Sequence, residues 1–411
     1  MACVTQIPIK NKAVYFKFHS RPSLLQYYYK PLSFKCLYAK MNDSNNTVTM
    51  RSSILKDLYE KHRQSPYYDN LCRPISDLIP FIDSGIRGVT TNPAIFEKAI
   101  SSSSAYNQQL RELVDAGKGI ENAYWELVVK DIHDTCKLLD PIYNEKDSLD
   151  GHVSIAVSPK LANDTKGTID AAIWLHKMVG CPNVFIKLPA TDESIPSIKE
   201  VISLGISVNV TLIFSLPRYE EVINAYLDGL EACSMNDLSK VRSAAAFYIS
   251  RVDTTIDKKL EQIGTVEALD LTGKGAVAQA VLAYQIYQKT FSGPRWKSLE
   301  KRGAKKQRLM WASTNVKNSS YPDTFYVDSL IGPDTISTLP EHALKAFMDH
   351  GIVSRTIDSK VSEAEHIYNA IEKLGVDWSY VGSQLQHEVL DSFTKSYDNV
   401  LQCLQNKANA L

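Results

Sequence analysis

The chain has 411 residues, of which 44% are hydrophobic and 22% are charged, and its formal net charge at pH 7 is zero. This composition is typical of a globular protein with a sizeable core, and the charge balance argues against nucleic acid as the main partner. No apolar run reaches the roughly 18 residues that suggest a spanning helix, so we expect no membrane partner. The seven cysteines form no CxxC pair, so the sequence predicts no metal site and no disulfide framework.

The start of the chain differs in composition from the rest. Residues 1–42 contain seven Lys or Arg and no Asp or Glu. A basic, acid-free and hydroxyl-bearing start is typical of an organelle transit peptide. We therefore predict that residues 1–45 are a disordered transit peptide for the plastid stroma, with cleavage between 38 and 52, and that residues 46–411 form one domain. The alternative is a disordered tail on a protein of the cytoplasm.

Hydrophobic periodicity predicts that short apolar strands alternate with amphipathic helices along the remaining chain. The predicted helices lie at 53–62, 74–84, 102–140, 165–179, 194–204 and 217–231, in two segments within 253–300, and from 341 onward. The predicted strands lie near 64–70 and at 86–91, 152–159, 183–191, 205–215, 243–251, 308–316 and 324–333. Eight strand–helix units predict a closed (β/α)8 TIM barrel with extra helices. An open doubly wound sheet is the alternative, although no GxGxxG follows the first strand.

One predicted strand, NVFIKLPAT, places a single lysine, Lys187, among apolar neighbours. Burial disfavours the charged ammonium and lowers the pKa of a lysine. The neutral amine can then attack a ketone and form a Schiff base. The competing interpretation is that Lys187 extends to solvent or pairs with a carboxylate.

Polar residues also stand at or near the ends of other predicted strands, where an α/β barrel carries its chemistry. They are Asp69, Thr90, Thr91, Asn92, Asn209, Thr211, Arg251 and Ser313. A Schiff-base lysine needs a group that orients the carbinolamine hydroxyl, a proton shuttle and a cation for a phosphate group. The residue types at these strand ends can supply all three.

A short basic run, Arg295–Arg308, holds seven basic residues in fourteen. Runs of this kind usually face solvent. We therefore predict a solvated helix and loop here.

Six segments occur in chain order, each at a different predicted strand: GVTTNPAIFEKAI, VSPKLANDT, VFIKLPAT, SVNVTLIFS, ISRVDT and MWAST. Together they resemble transaldolase in its longer bacterial and plant plastid form, over about residues 59–401. The resemblance implies a (β/α)8 barrel without cofactor or metal. It also implies transfer of a dihydroxyacetone unit from sedoheptulose 7-phosphate to glyceraldehyde 3-phosphate, which gives erythrose 4-phosphate and fructose 6-phosphate. The implied partners are phosphorylated sugars, and a homo-oligomer stays open.

The resemblance also implies a role for each matched residue. Lys187 would be the Schiff-base lysine, Asp69 would take part in carbon–carbon cleavage, and Thr211 would help to place the catalytic water. The residues expected to bind substrate are Thr90, Asn92, Asn209, Arg251 and Ser313, the last two at the phosphate.

The chain departs from the family pattern at Ala156, where relatives carry a glutamate that acts through a water as general acid and base. Losing such a group typically costs roughly 10² to 10⁴ in rate. Ala246 stands five residues before Arg251, where many relatives have serine. At the phosphate end Asn315 stands where compact relatives carry a second arginine, so Lys317 is expected to supply charge. A working transaldolase therefore competes with a catalytically impaired homologue kept for sugar-phosphate binding or another role. A different Schiff-base aldolase with the same barrel is the third hypothesis.

Overall fold

The computed structural model describes residues 53–410, so the predicted transit peptide at 1–45 lies outside the described residues. The strands are β1 (Gln64–Tyr68), β2 (Val153–Ala156), β3 (Val184–Pro189), β4 (Val208–Ile213), β5 (Ser243–Tyr248), β6 (Arg308–Ala312) and β7 (Thr335–Leu339). They form one parallel sheet in the order β1-β7-β6-β5-β4-β3-β2. All of their residues except Ala156 are buried, as expected for a parallel sheet covered on both sides.

Residues 86–91 close this sheet into a barrel. Val89 forms parallel bridges with Tyr68 of β1 and with Val153 of β2. The Ser154 amide also donates to the Val89 carbonyl at 2.9 Å. The segment therefore occupies the eighth position of the ring, although it forms an isolated bridge and not a full strand. The prediction of a (β/α)8 barrel is confirmed.

Helices connect the strands and extend the chain beyond the last one. They are α1 (Ile54–His62), α2 (Ile79–Ser84), α3 (Pro93–Ser102), α4 (Asn107–Asp115), α5 (Ile120–Tyr143), α6 (Thr165–Val179), α7 (Ile195–Ser203), α8 (Leu216–Ala232), α9 (Ser250–Ile263), α10 (Val266–Leu269), α11 (Gly275–Thr290), α12 (Pro294–Glu300), α13 (Phe325–Asp328), α14 (Glu341–His350), α15 (Val361–Lys373) and α16 (Trp378–Ala410). Short 3₁₀ segments lie at Ile75–Leu78, Lys146–Ser148 and Pro159–Leu161. Among the described residues, no helix is both long enough and apolar enough to cross a membrane.

The strand predicted at 324–333 is wrong. This apolar stretch contains the short helix α13, and the last strand is β7, which follows it. Val327 is buried and the Tyr326 hydroxyl donates to Asp253 Oδ2 at 2.8 Å, so the stretch packs as helix and loop. The apolar residues of this stretch pack in the core but do not form part of the sheet.

A buried ion network ties together the ends at which the strands begin. Arg308 Nη1 donates to Asp150 Oδ1 at 2.9 Å, and Arg87 Nε donates to Asp150 Oδ2 at 2.8 Å. Ser65 Oγ donates to Asp150 Oδ2 at 2.9 Å. Burial alone would raise the pKa of the Asp150 carboxyl, but the charges of Arg308 and Arg87 hold it below its usual value. The carboxylate therefore stays ionised and links β1, β6 and the 86–91 segment.

Candidate active site

Lys187 lies in the middle of β3 and its side chain stays inside the protein. The residue is 6% exposed, and its Nζ donates to the Thr91 carbonyl at 3.1 Å. Burial lowers the pKa of the Lys187 amine, while the charge of Asp69 acts in the opposite direction. The lysine therefore does not extend to solvent, and its hydrogen bond goes to a carbonyl and not to a carboxylate. These are the conditions under which a lysine becomes a nucleophile.

Asp69 directly follows β1 and joins a short chain of hydroxyl groups. Thr90 Oγ1 donates to Asp69 Oδ1 at 2.7 Å. Because the Thr90 hydrogen is used there, Thr338 donates to Thr90 Oγ1 across 2.5 Å. Burial raises the pKa of the Asp69 carboxyl, and the Lys187 charge and the Thr90 hydrogen bond lower it. Burial thus favours the neutral form of both Asp69 and Lys187, which suits groups that exchange protons near neutral pH.

The strand register places two further residues beside Lys187. Ala156 of β2 and Asn209 of β4 are its direct partners on either side. Asn209 Nδ2 donates to Ser154 Oγ at 3.0 Å, while its Oδ1 is buried without a partner among the described residues. A buried amide oxygen without a partner is rare in a native protein. This oxygen is therefore available to accept a hydroxyl of a bound molecule.

A narrow cleft of about 30 Å³ brings several predicted residues together. Lys187, Asn92, Thr211 and Ala156 all line it. The described residues around this cleft include no Asp or Glu. Glu193, the glutamate nearest to Lys187 in sequence, is exposed. The position beside Lys187 therefore lacks a carboxylate that could act from the wall of the cleft.

Asn92 has a structural role besides its place in the cleft. It is the N-cap of α3, and its Oδ1 accepts from the Ile95 amide at 3.1 Å. An N-cap asparagine satisfies one of the free amides of the first helical turn. The Nδ2 group of the Asn92 amide can then donate to a ligand.

Thr211 lies next to an irregularity in β4. The register shifts between Val210 and Ile213, and Leu212 has a φ of 65°. A leucine in this left-handed region is uncommon, and bulges of this kind often re-aim a side chain beside an active site. Thr211 Oγ1 lies 3.2 Å from the Tyr248 hydroxyl. One of these hydroxyl groups can donate to the other, and the second can then donate to a water or to the substrate.

The long helix α16 contributes to this site, which the sequence does not reveal. Gln386 Nε2 donates to the carbonyls of Ala190 at 2.7 Å and Leu212 at 3.2 Å. One turn and two turns further along, Leu390 and Phe393 line the cleft with Lys187. The helix therefore covers the carboxyl ends of β3 and β4 with an apolar surface.

Arg251 and Ser313 lie on a different part of the same barrel face. Arg251 is not at a strand end as predicted, because β5 ends before it and the residue lies in the first turn of α9. Ser313 directly follows β6 with a φ of 55°, and its Oγ lies 3.0 Å from Ser250 Oγ. The carboxyl ends of β5 and β6 thus bring a guanidinium and two hydroxyl groups to neighbouring positions.

Further cations surround Arg251. Burial, followed by the charges of Arg251 and Lys258, lowers the pKa of Lys317. Lys258 was not predicted, although its spacing of seven residues from Arg251 places both on one face of α9. Asn315 Oδ1 is buried here without a partner among the described residues. Two neighbouring positive charges that, after burial, disfavour the charged form of Lys317 indicate a site for an anion.

The fold and the site define a class of protein, the lysine-centred aldolase-type barrels. Such a barrel has parallel strands, and their ends bring together a buried lysine, a carboxylate, amides and a cationic cluster. The family model for transaldolase/fructose-6-phosphate aldolase matches residues 68–404. The chain therefore belongs to the transaldolase/fructose-6-phosphate aldolase family, and the resemblance noted in the sequence is confirmed.

Three relatives show how far the similarity extends. A transaldolase of Renibacterium salmoninarum is 46% identical over 331 residues, which cover 80% of this chain and 88% of the relative. Transaldolase 2 of Streptomyces coelicolor is 46% identical over 327 residues, 79% of this chain and 88% of the relative. A transaldolase of Mycobacterium ulcerans is 42% identical over 355 residues, 84% of this chain and 95% of the relative.

Proposed function

We propose that this protein is a transaldolase that transfers a dihydroxyacetone unit from sedoheptulose 7-phosphate to glyceraldehyde 3-phosphate. The observation that carries the proposal is the buried Lys187, whose amine is desolvated on β3 between Ala156 and Asn209. The relatives named above are all called transaldolase, which supports the working enzyme over a homologue that only binds sugar phosphates.

The first half of the reaction makes the imine and breaks the ketose. The neutral Lys187 amine adds to the ketone carbon, and the carbinolamine loses water to give an imine. Asp69 accepts the proton of the hydroxyl on the fourth carbon while the bond between the third and fourth carbons breaks. The imine nitrogen carries a proton, so it takes up the electron pair of that bond, which leaves a neutral enamine on Lys187 and releases erythrose 4-phosphate.

The second half runs in reverse with a new aldehyde. The enamine attacks the aldehyde carbon of glyceraldehyde 3-phosphate, Asp69 returns the proton to the new alkoxide, and water hydrolyses the imine. The Asn209 amide and the Asn92 Nδ2 group would hold the hydroxyls of the three-carbon unit, because amides both donate and accept hydrogen bonds. Thr90 fixes the orientation of the Asp69 carboxylate through its 2.7 Å hydrogen bond.

The cationic cluster would hold the phosphate of each sugar. A guanidinium binds a phosphate with two parallel donors, and Arg251 fits that role. Lys317 and Lys258 add charge, and Ser313 adds a hydroxyl. Burial and then the charges of Arg251 and Lys258 lower the pKa of Lys317, and a bound phosphate would offset the repulsion between these charges.

We further propose that residues 1–45 are a transit peptide and that the mature protein works in the plastid stroma. The support is the composition of the first 42 residues, which contain seven Lys or Arg and no Asp or Glu. A fluorescent protein fused after residue 52 should enter chloroplasts in leaf cells. Fluorescence that stays outside the organelle would refute this proposal and leave the enzymatic one intact.

The direct test of the enzymatic proposal is a coupled assay. The purified mature chain receives sedoheptulose 7-phosphate and glyceraldehyde 3-phosphate, and erythrose 4-phosphate is measured. Lys187→Ala should lower turnover by at least about a thousandfold, because removing a covalent nucleophile abolishes the pathway. Lys166→Ala is the matched control, since Lys166 is exposed on α6 and forms an ion pair with Asp170. No product from the native chain, or equal rates in the two variants, would contradict the proposal.

A further inference from the structure

A second cavity lies on the amino face of the barrel, the side on which the strands begin. It has a volume of about 490 Å³, far larger than the cleft beside Lys187. It opens where β3, β5, β6 and β7 start, and Phe185, Ser243, Arg308 and Ile336 line it. Small-molecule pockets typically span about 300–1,000 Å³, whereas the amino face of a barrel is usually a packed, stabilising surface.

The basic run Arg295–Arg308 forms much of this cavity. Seven of its fourteen residues line the wall: Trp296, Glu300, Gly303, Ala304, Lys305, Lys306 and Arg308. The run was predicted to be a solvated helix and loop. Half of it instead faces a concave site that the reaction at Lys187 does not use.

Arg242 places a positive charge in the wall without a contacting carboxylate. The residue is 6% exposed. Its guanidinium has five N–H groups. Four hydrogen bonds go to the backbone carbonyls of Asp147, Ser148, Ser239 and Val241. One Nη2 hydrogen is left without an acceptor among the described residues. The charges of Asp147 and Asp237 act on the guanidinium without contacting it, and a buried charge is costly without a directly bonded counter-ion.

Two lysines at the edge of the cavity form ion pairs with long distances and exposed side chains. Lys305 Nζ lies 3.9 Å from Asp147 Oδ1, with side chains 37% and 60% exposed. Lys306 Nζ lies 3.5 Å from Asp334 Oδ2, with side chains 37% and 48% exposed. Exposed ion pairs with long distances contribute little, so an anionic ligand can replace either carboxylate.

The rest of the wall suits the body of an organic molecule. Its aromatic residues are Tyr59, His152, Phe185, Tyr287 and Trp296. Counted over the whole lining, five Lys or Arg face three Asp or Glu. Arg308 is already paired with the buried Asp150, so four cations are left to face the three carboxylates. Aromatic rings beside surplus cations favour a ligand with a ring and an anionic group.

We propose that this amino-face cavity binds a small organic phosphate, with the phosphate between Arg242 and the Lys305–Lys306 pair and the ring against the aromatic wall. A nucleoside monophosphate and a pentose phosphate share this chemistry. The cavity lies on the face opposite to that of Lys187 and Arg251, so its ligand binds without entering the active site.

Calorimetric titration of the full chain tests the proposal with adenosine monophosphate, ribose 5-phosphate and inorganic phosphate as separate probes. In the Arg251→Ala background, which removes the active-site phosphate contact, an organic phosphate should bind at one site per chain. The double variant Lys305→Ala/Lys306→Ala should weaken this binding by at least about tenfold, because two charge-assisted contacts are lost. The matched control is Lys297→Ala/Lys301→Ala, which removes the same charge from exposed positions of the same run and should change the affinity by less than about twofold.

A second arm separates this cavity from the active site. Arg251→Ala should leave binding of the nucleoside monophosphate unchanged. Arg242→Lys should weaken this binding, and an unchanged melting temperature of that variant would show that the loss does not come from unfolding. Four results would overturn the proposal: no binding of either organic phosphate, equal weakening in both double variants, loss of binding in Arg251→Ala, or inorganic phosphate binding as tightly as the organic probes. The last result would mean a simple ion site.

Discussion

The Ala156→Glu substitution tests the most unusual feature of the active site. Residue 156 is the register partner of Lys187 and lines the same cleft, which the described residues leave without a carboxylate. Imine formation and imine hydrolysis each require a proton to move. In the native chain this task falls to water or to Asp69, which is also needed for carbon–carbon cleavage. A glutamate at 156 would act through an ordered water and relieve Asp69 of the second task.

The expected magnitude has two parts. A positioned general acid or base contributes about 10² to 10⁴ in rate, so a gain in kcat of at least about tenfold is a cautious expectation. The cleft has a volume of only about 30 Å³, and Leu390 and Phe393 of α16 lie against it. Inserting a larger side chain into a filled space typically costs about 1–3 kcal/mol. We therefore expect Ala156→Glu to be faster but less stable than the native chain.

The assay compares Ala156→Glu with Ala156→Gln, which has nearly the same shape but cannot take up or release a proton near neutral pH. Rapid-mixing measurements of imine formation and of product release should show the gain only with glutamate. The KM for phosphorylated sugars should change little, because the Arg251 cluster is untouched. Urea unfolding should show a similar loss of stability in both variants.

Two results would refute this reasoning. One is a native chain that already turns over as fast as a relative that carries the glutamate. The other is an equal rate for Ala156→Glu and Ala156→Gln, which would mean that the site does not use a carboxylate at this position.

Three further predictions concern other parts of the chain. A chain that starts at Thr49 should melt at the same temperature as the full chain, because the removed composition cannot support a core; calorimetry would reveal a packed segment as a drop of several degrees. Arg251→Lys should raise the KM for phosphorylated sugars more than it lowers kcat, since lysine does not reproduce a two-donor phosphate contact; an unchanged KM in steady-state assays would place the phosphate elsewhere. Asp150→Asn should lower the free energy of unfolding at pH 7 by about 3–5 kcal/mol, because it leaves Arg308 and Arg87 without their shared carboxylate. The pKa of Asp150 in the folded protein lies below its usual value, so the stabilisation from its carboxylate is present above the unfolded pKa of about 3.9 and is lost as the pH falls through the folded pKa. Urea titrations should therefore show the difference in unfolding free energy between Asp150→Asn and the native chain shrinking toward pH 3. A difference that stays constant with pH would argue against this network.

Much of the barrel could be predicted from local patterns. The strand around Lys187 is a continuous buried run, and such runs are typical of parallel sheets. The strand TISTL at Thr335–Leu339 gives a weak apolar signal because three of its five residues carry hydroxyl groups. The stretch at 324–333 is more apolar and so resembles a strand more closely, although its residues pack outside the sheet.

The parts of the site that were missed depend on contacts between distant segments. Gln386 reaches strand ends 196 and 174 residues earlier in the chain. The hydroxyl of Thr338 meets that of Thr90 across 248 residues. Neither contact leaves a local pattern, because only the closed barrel brings these segments together. The spacing of Lys258 from Arg251 was visible in the sequence, but it becomes informative only once α9 is known to begin at Ser250.

Covalent trapping at Lys187 tests the central claim most directly. The mature chain is incubated with fructose 6-phosphate, reduced with borohydride, digested and analysed by mass spectrometry. The proposed chemistry predicts a three-carbon adduct on the peptide that contains Lys187, and no adduct in the Lys187→Ala variant. Labelling that survives in that variant, or a native chain that gains no adduct under conditions in which it binds the sugar, would contradict the Schiff-base assignment.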